Sequence, residues 1–191
     1  QAAEKNLSSA QYNLALMLLQ PETGERDEPA ALELLHKAAA QGHESADITI
    51  GRIHLAHDDD PARAAIATEV FKRLAEHGNA DAQVTLGMIY TFGQGTVAQD
   101  FDEGRFWLKL ASNQESGTAR LNLGNIYAQG IGVDRDLIRA YAWYSLSADR
   151  GNSAGEHYRD ILAKELDKQE LEAARILAIE LVGAVPPNNF N

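Results

Sequence analysis

Ala10, Ala46, Ala82 and Ala119 stand 36, 36 and 37 residues apart, and the fifth residue after each is small: Ala15, Gly51, Gly87 and Gly124. A period of that length marks one supersecondary unit copied in tandem. Each copy is a helix pair that cannot bury its apolar face alone and must stack on its neighbours. The repeat therefore predicts an all-α chain before any residue suggests chemistry. Four units are expected at about 9–44, 45–80, 81–117 and 118–153, then a divergent pair at 154–183, together one domain over residues 1–183. Residues 184–191 are left as a tail.

The first unit shows the pattern. Ala10, Leu14, Ala15 and Leu18 form the stripe of one helix, and Gln1 to Ser8 read as a frayed start or the end of an earlier helix. Pro21 and Gly24 break it. Asp27 suits the cap of a second helix with Pro29 in its first turn, Ala31, Leu34, Leu35, Ala38 and Ala39 form its apolar face, and Gly42 closes it. Unit two ends at Gly78, with Asp58-Asp59-Asp60-Pro61 as its internal breaker. In unit three the connector is Gly93-Gln94-Gly95, one extra residue precedes Asp100, and Gly104 stands where other units have Ala31, Ala67 and Ala140. In unit four the connector is Gly130-Ile131-Gly132-Val133. Neither glycine loop has the Lys-Ser/Thr pair or the strand of a phosphate loop, so both read as left-handed turns.

A glycine inside a helix costs about 1 kcal/mol relative to alanine. Three at one register imply close helix approach. In the last pair Ala154 is expected to take the leading-alanine position, which puts Arg159 at the small-residue position, on a face turned to water. Asp167 and Glu170 read as a capping pair for a final helix stopped by Gly183, and the tail with Pro186-Pro187 as extended or mobile.

Composition narrows function. A formal charge of −11 and a pI near 4.9 oppose nucleic-acid binding, which requires basic surface. The absence of cysteine excludes disulfides, thiolate catalysis and Cys-based zinc sites. No apolar run approaches the roughly 18 residues of a membrane span, so no membrane insertion is expected. The sequence opens on Gln1, so a processed start or a fragment is expected, with any export signal lying ahead of it.

Unit four resembles a Sel1-like repeat, a relative of the tetratricopeptide repeat, at Ala119, Leu123-Gly124, Tyr127, Gly130-Ile131-Gly132-Val133, Asp136, Ala140, Trp143-Tyr144, Ala148 and Gly151. Unit three matches well, departing at Thr96, Gly104 and Glu115; units one and two keep the alanines and closing glycines without the glycine loop. The resemblance implies a right-handed α/α solenoid of four to five repeats that is not an enzyme: a scaffold or adaptor, of bacterial type, whose first helices line a concave surface for a protein or peptide. It favours a periplasmic or exported location, with the cytoplasm as the alternative. The competing enzyme class is a hydrolase or β-lactam-binding protein, as in cysteine-rich relatives, and the lack of cysteine weighs against it.

Carried onto this register, the related repeat's groove positions give three columns: Tyr12, Ile48, Val84 and Leu121; Leu16, Arg52, Met88 and Asn125; Leu19, Leu55, Thr91 and Ala128. Their apolar members fit inter-repeat core as well as groove. No catalytic set and no cofactor is expected. One constellation has metal-ligand character, His54 and His57 beside Asp58. Against it, His54 shares the packing column of Tyr90 and Tyr127, and His57 with the aspartates falls in a connector. Oligomeric state is not encoded in any of these features.

Overall fold

The computed structural model describes residues 2–20, 26–57 and 60–183. Among these the chain is helical throughout, with α1 (Ala2–Leu19), α2 (Glu28–Ala39), α3 (Glu44–Leu55), α4 (Pro61–Glu76), α5 (Ala80–Phe92), α6 (Phe101–Asn113), α7 (Gly117–Gln129), α8 (Leu137–Ala148), α9 (Ser153–Leu162) and α10 (Lys168–Gly183). Two compact units emerge, Gln1–Phe71 and Lys72–Asn191, the division falling inside α4. Pro21 and Gly24, Asp58 and Asp59, and the tail lie outside the described residues.

In the first unit α1 packs on α2 and α2 on α3 around Ala15, Ala31, Leu35, Ala38, Ala46, Ile50 and Ile53. Asp27 caps α2 as expected, its carboxylate accepting from the Ala30 amide at 3.0 Å, with Pro29 in the first turn. α1 starts at Ala2, so residues before Ser9 continue the first helix instead of fraying from it.

In the second unit α5 packs on α6, α6 on α7, α7 on α8, and α8 on both α9 and α10. Leu108, Leu123, Ile126, Tyr127, Trp143, Tyr144 and Leu162 centre its core. Both glycine connectors are left-handed turns, with positive φ at Gly93, Gly95, Gly130 and Gly132. After each, the chain is tied back to the first helix, the Asp100 amide donating to Tyr90 O at 2.8 Å and the Asp136 amide to Tyr127 O at 2.9 Å. The close approach predicted from glycine is present in all three repeats that carry it. A β-carbon at Gly51 would lie 2.9 Å from the Phe71 ring, at Gly87 2.8 Å from Leu108 Cγ, and at Gly124 2.5 Å from the Tyr144 ring.

The last pair is set one residue later than expected. Asn152 caps α9 through the Gly155 amide, as Asn79 caps α5 through Ala82 and Ser116 caps α7 through Ala119. Gly155, buried against Ser147, therefore takes the leading-alanine place and Asp160, not Arg159, the small-residue place. The Asp167–Glu170 capping pair is formed, the Asp167 amide donating to Glu170 at 2.8 Å and the Glu170 amide to Asp167 at 2.8 Å.

Candidate functional site

The groove columns occupy the first helix of each repeat. In the first unit Tyr12, Leu16 and Leu19 lie on α1 and Ile48, Arg52 and Leu55 on α3, all half-buried except Arg52, which is exposed. Tyr12 and Leu19 pack on the first core, and the Tyr12 ring stacks on His43 with centroids 4.6 Å apart. In the second unit Val84 and Met88 on α5 and Leu121 and Ala128 on α7 are half-buried against the second core. Tyr12, Leu19, Val84, Met88, Leu121 and Ala128 thus each have one side committed to packing and another exposed. Asn125 accepts a 2.8 Å hydrogen bond from the Tyr144 hydroxyl. Burial, with Tyr158 adding to it, pushes that hydroxyl up to about 12, so it stays a donor.

Thr91 departs from its column. It is 1% exposed, and its hydroxyl donates to Gly87 O at 2.7 Å. The same hydroxyl fills the space a side chain would need at Gly104. Thr91 belongs to the α5–α6 interface, and Gly104 is the glycine that this placement requires.

The histidine constellation is an ionic cluster of the first unit. His54 is buried in the aromatic column, where its Nδ1 accepts from Arg63 Nε at 3.4 Å. Arg63 also donates to the Glu28 carboxylate, which meets His57 Nε2 at 3.3 Å. Burial, reinforced by Arg63, holds the His54 imidazole below its ordinary value. At Glu28 burial opposes ionisation, but hydrogen bonds from Arg63 and His57 outweigh it and hold the carboxyl below the usual range. The two imidazoles are engaged separately, by a guanidinium and by a carboxylate. Asp58 lies outside the described residues, and among those described no three His, Asp or Glu gather to hold a metal.

A charged cleft of about 720 Å³ in the second unit follows from no motif of the sequence. It lies where the α7–α8 connector faces the start of α10, with Arg105, Arg135 and Arg139 near Glu165 and Glu170. The arginines are spent on local structure. Arg105 donates to Gly132 O at 3.2 Å, Arg135 to Ala128 O at 3.0 Å, and Arg139 sits 5.1 Å from the Tyr127 ring centroid and 3.5 Å from Asp136. Only the arginine-bearing connector itself was visible in the sequence; its opposition to residues 165–170 requires α10 to dock on α8.

The Sel1 repeat family profile matches residues 8–43, 80–116 and 118–152, together more than half of the chain. The unmatched stretch between them, residues 44–79, is the second repeat, which like the first lacks the glycine loop. DAP3-binding cell death enhancer 1 of Mus musculus is 33% identical over 170 residues, 86% of this chain and 32% of that protein. Chitin synthase regulator SKT5 of Saccharomyces cerevisiae is 27% identical over 124 residues, 64% of this chain and 18% of that protein. The crystal structure of a protective antigen of uropathogenic Escherichia coli displaying an SLR fold superposes with a TM-score of 0.77 at 29% identity, covering 99% of this chain and 40% of that one. The chain thus spans less than two thirds of the length of these relatives.

Proposed function

The chain belongs to the Sel1 repeat family, and on that premise we propose that it is a non-enzymatic scaffold that holds a protein or peptide partner on the outward sides of its first helices. The observation that carries this reading is the mixed lining those helices present: half-buried Tyr12, Leu16 and Ile48 with exposed Arg52 in the first unit, half-buried Val84, Met88, Leu121, Asn125 and Ala128 in the second. Apolar area beside polar groups suits an amphipathic helix or an extended segment. An exposed cation at Arg52 on a chain of charge −11 suits an acidic position in that segment. A regulator and a binding protein among the relatives agree with such a role in kind.

The test is capture of a partner from source cells by the full chain, then affinity measurements with Arg52→Glu and Met88→Glu. At least one substitution should weaken binding tenfold or more with helicity and melting unchanged. Unaltered affinity in both would move the site off the first helices, and turnover of a defined substrate by the purified chain would overturn the scaffold reading. The same reading places the protein in an exported, periplasmic compartment, following the location that the resemblance implies; recovery with cytoplasmic markers on fractionation would reject that placement. Among the described residues no helix is long and apolar enough to cross a membrane.

A further inference from the structure

Most buried donors in the second unit have acceptors, and the repeat shows how. The Trp107 indole donates to Glu103 one turn earlier at 2.9 Å. Gln83 donates to Ala75 O at 3.1 Å while its own carbonyl accepts from Gln114 at 2.8 Å. The next repeat replaces both acceptors with donors. Four residues before Trp143 stands Arg139, and the Gln83 and Gln114 positions are taken by Arg120 and Arg150.

The consequence is a cluster of unmet donors. Arg120 is 5% exposed; its terminal nitrogens donate to Leu146 O at 3.0 Å and Ser112 O at 3.2 Å, while its Nε is buried without an acceptor. Trp143, 3% exposed, has an indole N–H in the same condition, as does the side-chain amide of Asn113. All three residues line one cavity of about 60 Å³, together with Leu181 and Val182 of α10. The lining carboxylate, Glu115, is held by both terminal nitrogens of Arg150. Buried polar groups in folded proteins are almost always paired, so a cluster of unpaired donors calls for an acceptor.

We propose that this cavity is a binding site for a single carboxylate, presented by a peptide as its C-terminus or as an aspartate or glutamate side chain. The unmet groups are N–H donors only, which selects an acceptor, and one belongs to a guanidinium, which selects an anion. A water needs roughly 10–15 Å³ of such space, so the cavity has room for about four water-sized groups: a carboxylate enters, a nucleotide does not. Arg120 stands on α7, but Leu121, Asn125 and Ala128 do not line the cavity, and the proposal does not depend on the scaffold reading.

Nitrogen-15 spectra of the full chain test it, with sodium acetate as the probe and sodium chloride at equal ionic strength as the control. Acetate should shift the Trp143 indole and Arg120 Nε–H resonances saturably, while Trp107, already bonded to Glu103, stays in place. Two N-acetylated peptides then separate the sources, one with a free C-terminus and no acidic side chain, the other amidated with a central aspartate. Arg120→Gln, which installs the residue of the preceding repeat, should fold and lose at least tenfold in acetate affinity; Asn113→Ala should lose several-fold. Shifts that are linear and equal in acetate and chloride would overturn the proposal. So would a long-lived water at the Trp143 indole that acetate does not displace. Arg52→Glu and Met88→Glu should leave the response untouched, so its failure and the failure of the scaffold reading are distinguishable.

Discussion

The α3–α4 pair of the first unit and the α5–α6 pair of the second meet the same packing requirement with different connectors. In both, a glycine in the first helix faces a large side chain of the second, Phe71 in one and Leu108 in the other. Between α5 and α6 the turn rests on left-handed glycines and on the Asp100 amide returning to Tyr90 O, and Asp100 then caps α6. At the register of Asp100 the α3–α4 pair has Arg63. There the helix starts earlier, capped by Asp60 through the Ala62 amide at 2.9 Å. Arg63 is freed to bind His54 and Glu28. Helix approach is thus the shared element of the repeat, whereas the connector is free to be built from backbone turns or from titratable side chains.

The largest effect should come from the approach itself. Gly87→Leu is expected to cost about 3 kcal/mol, at the upper end of core overpacking, because the new β-carbon meets Leu108 and, at 3.0 Å, the backbone carbonyl of Gly104. Gly51→Ala should fall within about 1 kcal/mol of neutral, since it presses only on side chains of Phe71 and Val70 and gains helix propensity. Urea midpoints at constant slope measure both. Equal costs for Gly87→Ala and Gly51→Ala, which add one β-carbon at each site, would show that the two interfaces are equally rigid and dissolve the distinction.

Next in size are the connectors. Arg63→Met removes a charged hydrogen-bond donor from Glu28 and should cost about 1–2 kcal/mol. Asp100→Ala removes a helix cap and should cost about 1 kcal/mol. Only the first connector should respond to pH near neutrality. His54 has a folded pKa below its unfolded value, so the unfolded chain binds the extra proton, and stability present above about pH 6.5 is lost as pH falls toward the folded value. Glu28, also depressed, loses its contribution at lower pH, as acidification passes below the ordinary carboxylate range. The melting temperature should therefore drop between pH 7.5 and 5.5 in the wild type. His54→Tyr, which installs the residue found at Tyr90 and Tyr127, should flatten that step; an unchanged step would place the titration elsewhere.

These differences mark how far the sequence could be read. The leading alanines, the small residues at 51, 87 and 124 and the caps at Asp27 and Asp167 were legible because each is a local answer to a backbone demand. Thr91 was misplaced because a groove position and an interface position share one helical register, and only the missing side chain at Gly104 tells them apart. The shift from Ala154 to Gly155 was hidden because either small residue satisfies the pattern, and the Asn152 cap decides. The Arg63–Glu28 pair and the Arg120–Leu146 bond join residues 35 and 26 positions apart, which no periodicity reports.

The smallest effect tests a departure from the repeat that was visible in the sequence. Gly42, Gly78 and Gly151 close their repeats with φ of 80°, 88° and 76°, and at the same register Glu115 holds φ 65°. A side chain in that region costs about 1–2 kcal/mol. What Glu115 returns is its paired contact with Arg150, and both side chains are substantially exposed, which limits an ion pair to about 1 kcal/mol or less. Glu115→Gly should therefore stabilise the chain by about 0.5–1 kcal/mol, read as a small rise in the urea midpoint. If stability falls instead, the Glu115–Arg150 pair outweighs the backbone strain, and Arg150→Ala should then lower the midpoint in wild type but not in the glycine variant.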